Sequence, residues 1–287
     1  MSQNKIIAGT MTWGKWGKNL SQTEMSKRIE QWVEIGVNTF DHADIYGDYT
    51  TEAAFGNALK NSSVQAEQLE LISKCGIQMT RGRNNKVKHY DYRASYIISS
   101  LEQSLKNLQV ECIDTFLLHR PSPLMKAEEI AKAIEQLKAQ GKIKSFGVSN
   151  FLPHQIELIE SYIPVEANQI QFSVDHLDPM YNGVLDDCQL NGREAMAWSP
   201  LGSYFKAEHA ESLNQIRKTI QELSAAYGVE EEVLVIAFIL KHPAAVRPVV
   251  GTTDLNRLSI LKKALSFEWP DEDWFVILES SVGRRVP

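Results

Sequence analysis

Cysteine is scarce in this sequence. Only three of the 287 residues are cysteines, Cys75, Cys112 and Cys188, and no two of them form a Cys-x-x-Cys pair. An odd number of isolated cysteines supports neither a disulfide framework nor a zinc site, so we expect no bound metal. Thiols that are not used as cross-links are typical of a reducing compartment, and we therefore expect a cytoplasmic protein.

Long apolar runs and an excess of positive charge are also missing. No stretch of about 18 consecutive apolar residues occurs, and no charged segment followed by an apolar one opens the chain, so we expect no membrane association. The formal net charge is −6, which argues against nucleic acid as a partner. No predicted helix has a surplus apolar face, and a monomer is therefore expected.

What the sequence does contain is a regular alternation of short apolar, β-like runs with amphipathic stretches. Apolar residues make up 43% of the chain and charged residues 23%, a balance that permits a packed core. The pattern predicts strands over residues 5–10, 37–41, 69–74, 112–118, 144–149, 168–172, 194–198 and 246–250. It predicts helices over residues 21–35, 51–60, 93–107, 127–140, 229–240, 255–265 and 271–281, and one that opens at Pro153.

Strands that alternate with helices along the whole chain predict an α/β protein with a mainly parallel sheet. Eight such units in 287 residues fit a closed (β/α)8 TIM barrel better than an open, doubly wound sheet. The Gly-x-Gly-x-x-Gly fingerprint of that open alternative does not follow the first predicted strand. Because no linker interrupts the pattern, residues 1–287 are predicted to form a single barrel domain with an extra C-terminal helix.

Isolated polar residues end three neighbouring predicted strands. Asp41 ends the second strand, Lys74 ends the third and His119 follows the fourth, while Tyr46 lies in the loop after Asp41. In a TIM barrel the carboxyl ends of the strands form one rim, and the chemistry of this fold is placed there. The four side chains are therefore predicted to converge on a single site.

These four side chains suit proton transfer to a carbonyl group. The pKa of tyrosine is about 10, and a neighbouring Lys74 ammonium is expected to lower the pKa of Tyr46 by stabilising the phenolate. Asp41 would keep that ammonium charged, and His119 would donate a hydrogen bond to the carbonyl oxygen. No side chain donates hydride, so a nicotinamide cofactor is expected to supply it.

The motifs at the strand ends resemble those of the aldo-keto reductase superfamily, in particular its short bacterial members of unassigned substrate. They are Phe-Asp-His-Ala-Asp-Ile-Tyr-Gly at 40–47, Ile-Ser-Lys at 72–74, Leu-Leu-His-Arg-Pro at 117–121, Gly-Val-Ser-Asn-Phe at 147–151, Asn-Gln at 168–169 and Trp-Ser-Pro-Leu-Gly at 198–202. The resemblance implies an NADPH-dependent reductase of a small-molecule aldehyde or ketone. It makes Tyr46 the proton donor, Lys74 and Asp41 its supports, and His119 the residue that orients the carbonyl.

The resemblance also implies the contacts with the cofactor. The nicotinamide amide would be held by Ser149, Asn150 and Gln169, and Trp198 would stack on the ring. Two loops and a helix N-terminus near residue 254 would hold the phosphates, at Ser199, Leu201, Gly202, Gly251, Thr252 and Thr253. Arg257 would contact the adenosine 2′-phosphate, which NADPH has and NADH lacks. Gly251 and Thr252 stand where many members have Lys-Ser, which removes one cation. NADPH (NADP+) is the expected cofactor, and NADH is less favoured.

Two other functions stay open at this point. A metal-dependent hydrolase on the same barrel would use Asp41, His42, Asp44 and His119 as ligands, but Asp41 and His42 are adjacent on a strand and would point to opposite faces. A non-catalytic NADPH-binding redox-sensor subunit would keep the cofactor contacts without turnover. For the substrate pocket, position along the chain suggests Trp13, Trp16, Tyr49 and His89.

Overall fold

The computed structural model of the chain describes residues 6–206 and 213–287. Its strands are β1 (Ile7–Gly9), β2 (Thr39–Asp41), β3 (Glu70–Cys75), β4 (Ile77–Gln78), β5 (His89–Tyr90), β6 (Ile113–Leu118), β7 (Ile143–Ser149), β8 (Ala167–Gln171), β9 (Glu194–Trp198) and β10 (Arg247–Val250). Eight of them pair in parallel and close into a barrel in the order β1-β10-β9-β8-β7-β6-β3-β2. The other two, β4 and β5, form an antiparallel hairpin.

At least one helix lies between each barrel strand and the next along the chain. The helices are α1 (Gln22–Glu34), α2 (Tyr46–Tyr49), α3 (Thr51–Lys60), α4 (Ala94–Leu108), α5 (Ala127–Ala139), α6 (Pro153–Glu160), α7 (Val184–Asn191), α8 (Asn214–Tyr227), α9 (Glu231–Leu240), α10 (Leu255–Lys263) and α11 (Asp271–Val282). Short 3-10 turns cover Ala66–Gln68, Asp178–Met180 and Ala264–Ser266. The predicted (β/α)8 barrel is therefore confirmed, and α11 follows the last barrel strand.

The local signals that predicted these elements are visible in the contacts. A capping box opens α1, because Ser21 N donates to Glu24 Oε2 at 2.8 Å and Glu24 N donates to Ser21 Oγ. Gly36, in the left-handed region at φ +83°, follows the end of the helix. The helix then buries one face, through Met25, Ile29 and Trp32.

Several predicted boundaries differ from the structure. The strand predicted over 37–41 contains only Thr39–Asp41, and the one predicted over 5–10 contains Ile7–Gly9, with Lys5 outside the described residues. The hairpin of β4 and β5 was not among the predicted elements. Strands of two residues are too short to show an alternating pattern, and the hairpin therefore left no signal.

The barrel interior is packed at one end and polar at the other. Six apolar side chains form a cluster of their own: Ile7, Ile72, Leu117, Ala167, Met196 and Val249. Side chains two residues apart on a strand share a face, so Lys74 follows Ile72, and Gln169 follows Ala167, on the inner side of the barrel. The apolar cluster therefore fills the floor on which the polar rim rests. Among the helices that the structure describes, none is both long and apolar enough to cross a membrane.

Candidate active site

Lys74 lies at the centre of the polar rim and is completely buried. Its Nζ donates to Asp41 Oδ1 at 2.6 Å, to the backbone oxygen of His42 at 2.8 Å and to Tyr46 Oη at 3.3 Å. The three hydrogens of the ammonium are thereby satisfied. The predicted convergence of Asp41, Tyr46 and Lys74 is thus present in the structure, with the lysine joining the other two.

Asp41 is held from a second direction. Gln169 Nε2, which comes from β8, also donates to Asp41 Oδ1, at 2.7 Å. The Asp41 side chain is only 3% exposed, so its charge depends on these two donors for compensation. Gln169 was predicted to bind the nicotinamide amide, which stays a prediction, and in the structure its side chain links Asp41 to the opposite side of the barrel.

Tyr46 begins a turn of unusual backbone conformation. Gly47, Asp48 and Tyr49 all have positive φ angles, between +57° and +68°. Two side chains anchor this turn, because Asp48 Oδ1 accepts from Trp16 Nε1 at 2.9 Å and Tyr49 Oη accepts from the backbone nitrogen of Met79 at 3.0 Å. Strained backbone of this kind persists only where surrounding contacts hold it, and here it fixes the tyrosine beside Lys74.

Burial is the largest influence on the ionisation of Tyr46, Lys74 and His119. Burial, and next the charge of Asp41, raises the pKa of Tyr46 well above its ordinary value of 10. The net shift is therefore upward, opposite to the lowering that was expected from Lys74 alone. Burial also lowers the pKa of Lys74, with Asp41 opposing the shift. Burial, and then the charge of Lys74, lowers the pKa of His119 well below 6.5, which makes the imidazole neutral at neutral pH.

His119 completes the set. Its ring lies edge-on to the Tyr46 ring, with the centroids 6.1 Å apart, and the residue is 9% exposed. Its Nδ1 is buried and has no hydrogen-bond partner within the part of the chain that the structure describes. Orphaned N–H groups are rarer in protein interiors than under-satisfied acceptors, so we place the imidazole proton on Nε2, where it is available as a donor.

Tyr46, Asp41 and His119 line one end of a cavity of about 550 Å³. Ten of the eleven predicted cofactor residues line the same cavity: Ser149, Asn150, Gln169, Trp198, Ser199, Leu201, Gly202, Gly251, Thr252 and Arg257. Thr253 is not part of its lining. One cavity therefore joins the predicted catalytic groups with almost all of the predicted cofactor contacts.

The residues predicted to hold the nicotinamide form a connected chain. Ser149 Oγ donates to the backbone oxygen of Gln169 at 2.8 Å, and Asn150 Nδ2 donates to Ser149 Oγ at 2.7 Å. Trp198 Nε1 in turn donates to Asn150 Oδ1 at 2.9 Å. Asn150 itself has a φ of +62°, so its side chain is placed by an uncommon backbone conformation as well as by its partners. The amide group and the aromatic ring of a nicotinamide would both find fitting partners among these residues.

The phosphate end differs in part from the prediction. The N-terminus of α10 was expected to offer free N–H groups, but the Asp254 side chain caps it by accepting from Asn256 N and Arg257 N. Cations are present instead. The Arg257 guanidinium lies 5.0 Å from the centre of the Phe205 ring and its Nε lies 3.5 Å from Glu232 Oε1.

Lys206 was not among the predicted residues, and it lines the cavity from the loop after β9. It supplies a cation from a different loop than the Lys-Ser position that this chain lacks. The sequence did contain a signal for this residue, because a lysine occurs in the loop that follows the seventh predicted strand.

Of the four residues predicted to line the substrate pocket, one lines this cavity and three do not. Trp16 lines the cavity, as expected. Trp13 is fully buried and packs against Phe40 at 6.0 Å, so it belongs to the hydrophobic core. Tyr49 is not in the lining, and His89 lines a separate surface cavity. The missed lining residues come largely from the unpredicted hairpin and from the residue after His119: Ile45, Ile77, Met79, Lys88 and Arg120.

The metal-dependent alternative finds little support in the geometry. His42 points away from the rim, since its Nδ1 lies 2.9 Å from Thr10 Oγ1 and its ring packs on Phe55 at 4.4 Å. Within residues 6–206 and 213–287, no group of three or more histidine, cysteine or acidic side chains is placed to hold a metal ion. Asp41 is already bonded to the Lys74 ammonium, which occupies the position that a cation would need.

Comparison with known proteins agrees with this geometry. Residues 5–280 match the family described as the aldo/keto reductase family. The chain is 38% identical to the uncharacterized oxidoreductase YcsN of Bacillus subtilis, over 99% of this chain and 96% of that protein. It is 35% identical to a 6-dehydroglucose reductase of Agrobacterium fabrum, over 99% and 97%. A crystal structure of a thermostable aldo-keto reductase in complex with the inhibitor epalrestat superposes with a TM-score of 0.81 at 26% identity, covering 96% of this chain and 94% of that one.

Proposed function

The chain belongs to the aldo/keto reductase family, and on that premise we propose that it reduces an aldehyde or ketone to an alcohol, with NADPH as the cofactor and Tyr46 as the proton donor. The observation that carries this proposal is the bonded group of Asp41, Lys74 and Tyr46, which lies at the end of a cavity lined by the cofactor-binding positions. A proton donor and a cofactor site thus share one cavity.

NADPH, when bound, supplies the hydride. The chain's own residues bind and orient the reactants. Ser149, Asn150 and Gln169 offer amide and hydroxyl groups to the carboxamide, and the half-buried Trp198 offers a ring face. Lys206 and Arg257 offer cations to the phosphates at the other end of the cavity. These groups come from four different strand ends, so the closed barrel positions them relative to Tyr46.

The protonation states suit carbonyl reduction. Because burial raises the pKa of Tyr46, the phenol keeps its proton until a strong base forms beside it, and the alkoxide produced by hydride addition is such a base. The Lys74 ammonium lies 3.3 Å from Tyr46 Oη and stabilises the negative charge that develops there. The neutral His119 donates a hydrogen bond to the carbonyl oxygen without competing as an acid.

The first experiment separates cofactor binding from turnover. Titration with NADPH is followed by the intrinsic fluorescence of the tryptophans, two of which, Trp16 and Trp198, line the cavity. Turnover of a panel of aldehydes is followed at 340 nm. We expect saturable quenching with wild type and with Tyr46→Phe, but turnover only with wild type. Tyr181→Phe is the matched control, because Tyr181 is exposed and does not line the cavity.

Each other result has a distinct meaning. Quenching without turnover by wild type would favour the redox-sensor alternative. No quenching by either NADPH or NADH would refute the cofactor assignment. Activity that survives Tyr46→Phe would refute the assignment of the proton donor.

The preference for NADPH over NADH is tested at Arg257. Hydrogen bonds that involve a charged group contribute about 1.5–3 kcal/mol, so loss of one weakens binding by roughly 10-fold or more. We expect Arg257→Ala to weaken NADPH binding by that factor and to leave NADH binding nearly unchanged. An equal loss for both cofactors would show that Arg257 does not distinguish them.

A further inference from the structure

We propose that Lys88 and Arg120 form an anion-binding subsite on the substrate side of the cavity, so that the carbonyl substrate carries a carboxylate or phosphate group. This inference rests on the proposed reductase function and names the class of compound that this site takes. Both side chains line the cavity together with Tyr46 and His119. They are therefore placed to meet the part of the substrate that lies beyond its carbonyl group.

Arg120 is held in a defined position. It directly follows His119, and its guanidinium lies 5.3 Å from the centre of the Trp198 ring. The Tyr92 hydroxyl fixes the backbone on both sides, since it donates to the carbonyl oxygen of Arg120 at 2.5 Å and accepts from the nitrogen of Arg120 at 3.1 Å. A buried tyrosine thus clamps the main chain that carries this cation.

The clamp depends on a close approach that only glycine permits. A Cβ atom on Gly76 would lie 2.0 Å from Tyr92 Cε1, and the φ of Gly76 is +111°. Gly76 lies between β3 and the hairpin, directly beside the catalytic strand end. The position of Arg120 is therefore built into the packing around the site rather than left to a free loop.

Lys88 reaches the cavity from the hairpin. In this hairpin Ile77 pairs with Tyr90 and Gln78 with His89. Met79 and Lys88 directly follow and precede these pairs, so the same register brings them near each other beyond the end of the ladder. Met79 and Lys88 both line the cavity. The hairpin therefore forms one wall of the substrate side, with an apolar residue and a cation next to each other.

No carboxylate neutralises these two cations. Among the described residues that line the cavity, Asp41 is the only acidic one, and it is bonded to Lys74. Neither Lys88 nor Arg120 forms an ion pair within the ranges that the structure describes. Both cations act on His119, whose pKa is lowered first by burial and then by Lys74, Arg120 and Lys88. The field at the carbonyl end of the cavity therefore favours an anion.

The two cations are separate from those at the phosphate end. Arg120 follows β6, whereas Arg257 follows β10, and these strands lie opposite each other in the eight-stranded barrel. Trp198 and Asn150, which lie at strand ends between β6 and β10, line the same cavity. A dinucleotide whose phosphates meet Lys206 and Arg257 would leave Lys88 and Arg120 to the substrate.

Succinic semialdehyde and butanal test the subsite, because both are four-carbon aldehydes and only the first has a terminal carboxylate. We expect wild type to have a KM for succinic semialdehyde at least about 10-fold below that for butanal. In the double variant Lys88→Met with Arg120→Gln, the KM for succinic semialdehyde should rise until the preference over butanal is lost. The double variant Lys88→Arg with Arg120→Lys keeps both charges and should retain most of the preference. Lys86→Met is the control, since Lys86 is exposed in the same loop and does not line the cavity.

A second measurement needs no turnover. Calorimetric titration of the full chain with succinate should show binding by wild type and by Lys86→Met, and at least about 10-fold weaker binding by the Lys88→Met, Arg120→Gln double variant. If succinate binds in this pattern but neither aldehyde is reduced, the proposed reductase function fails and the subsite stands. If both aldehydes are reduced with equal KM, or if wild type prefers the uncharged D-glyceraldehyde to succinic semialdehyde, the subsite is overturned and the reductase function stands.

Discussion

Asp44 is a buried carboxyl group beside the turn that begins at Tyr46, and replacing it with asparagine should change how stability depends on pH. Its Oδ2 accepts from Tyr96 Oη and Ser100 Oγ, both at 3.2 Å, and its Oδ1 has no hydrogen-bond partner in the described part of the chain. Burial, and next the charge of Glu52, raises the pKa of Asp44 from 3.8 to about 7. The folded protein thus holds this proton at pH values where the unfolded chain has released it.

The size of the effect follows from linkage between protonation and folding. The pKa is raised by about three units, and each unit corresponds to about 1.4 kcal/mol, so the total is on the order of 4 kcal/mol. Because the folded-state pKa is the higher one, this stabilisation is fully present below pH 3.8 and is lost as the pH rises to about 7. Between about pH 5 and pH 8 the loss is on the order of 3 kcal/mol.

Asparagine keeps the shape and an acceptor oxygen but has no proton to lose. The free energy of unfolding is measured by urea denaturation at pH 5 and at pH 8. We expect the difference between Asp44→Asn and wild type to shift by about 3 kcal/mol in favour of the variant from the lower to the higher pH. The matched control is Asp186→Asn, which changes an exposed carboxylate on α7 and should follow wild type at every pH. A difference between Asp44→Asn and wild type that stays constant with pH would refute the reasoning, because it would mean that Asp44 is ionised throughout.

Three further predictions follow from the site. Lys74→Met leaves the Asp41 carboxylate buried without its cation, so it should lower the free energy of unfolding, measured by urea denaturation, by about 3–5 kcal/mol. Adding Asp41→Asn to this variant should restore much of the lost stability. If the double variant is no more stable than Lys74→Met, the pairing is contradicted. Gly202→Ala should weaken NADPH binding in fluorescence titration, because the φ of Gly202 is +53° and a Cβ there would lie 1.7 Å from Asp175 Oδ1; unchanged affinity would show that this loop does not contact the cofactor. The pKa of Tyr46 lies well above 10 and that of His119 well below 6.5, so the single-turnover rate of reduction should not change between about pH 6.5 and 8.5. A pH dependence in this range would mean that another group controls the rate. If that pH dependence disappeared in Asp44→Asn, the group would be Asp44.

Much of the site could be predicted because its residues occur in short sequence motifs. The order of strands and helices, the capping box of Ser21 and Glu24, and the polar residues at strand ends all depend on neighbours in the chain. An apolar residue followed two positions later by a polar one, as in Ile72 and Lys74, already places the polar side chain at the rim above the apolar floor. The sequence by itself thus determined the barrel and predicted which polar residues meet at its rim, while the proton-donor and cofactor roles of these residues stay predictions.

The tertiary structure decided what depends on distance across the barrel and on burial. The bond from Gln169 to Asp41 joins residues that lie 128 positions apart, and the pKa of Tyr46 rises because of burial that no local pattern encodes. The same holds for the hairpin that brings Lys88 beside the site and for the glycine that lets Tyr92 clamp Arg120. The physical reason is that sequence periodicity fixes which way a side chain faces, whereas closure of the barrel fixes which side chains meet and how much water they lose.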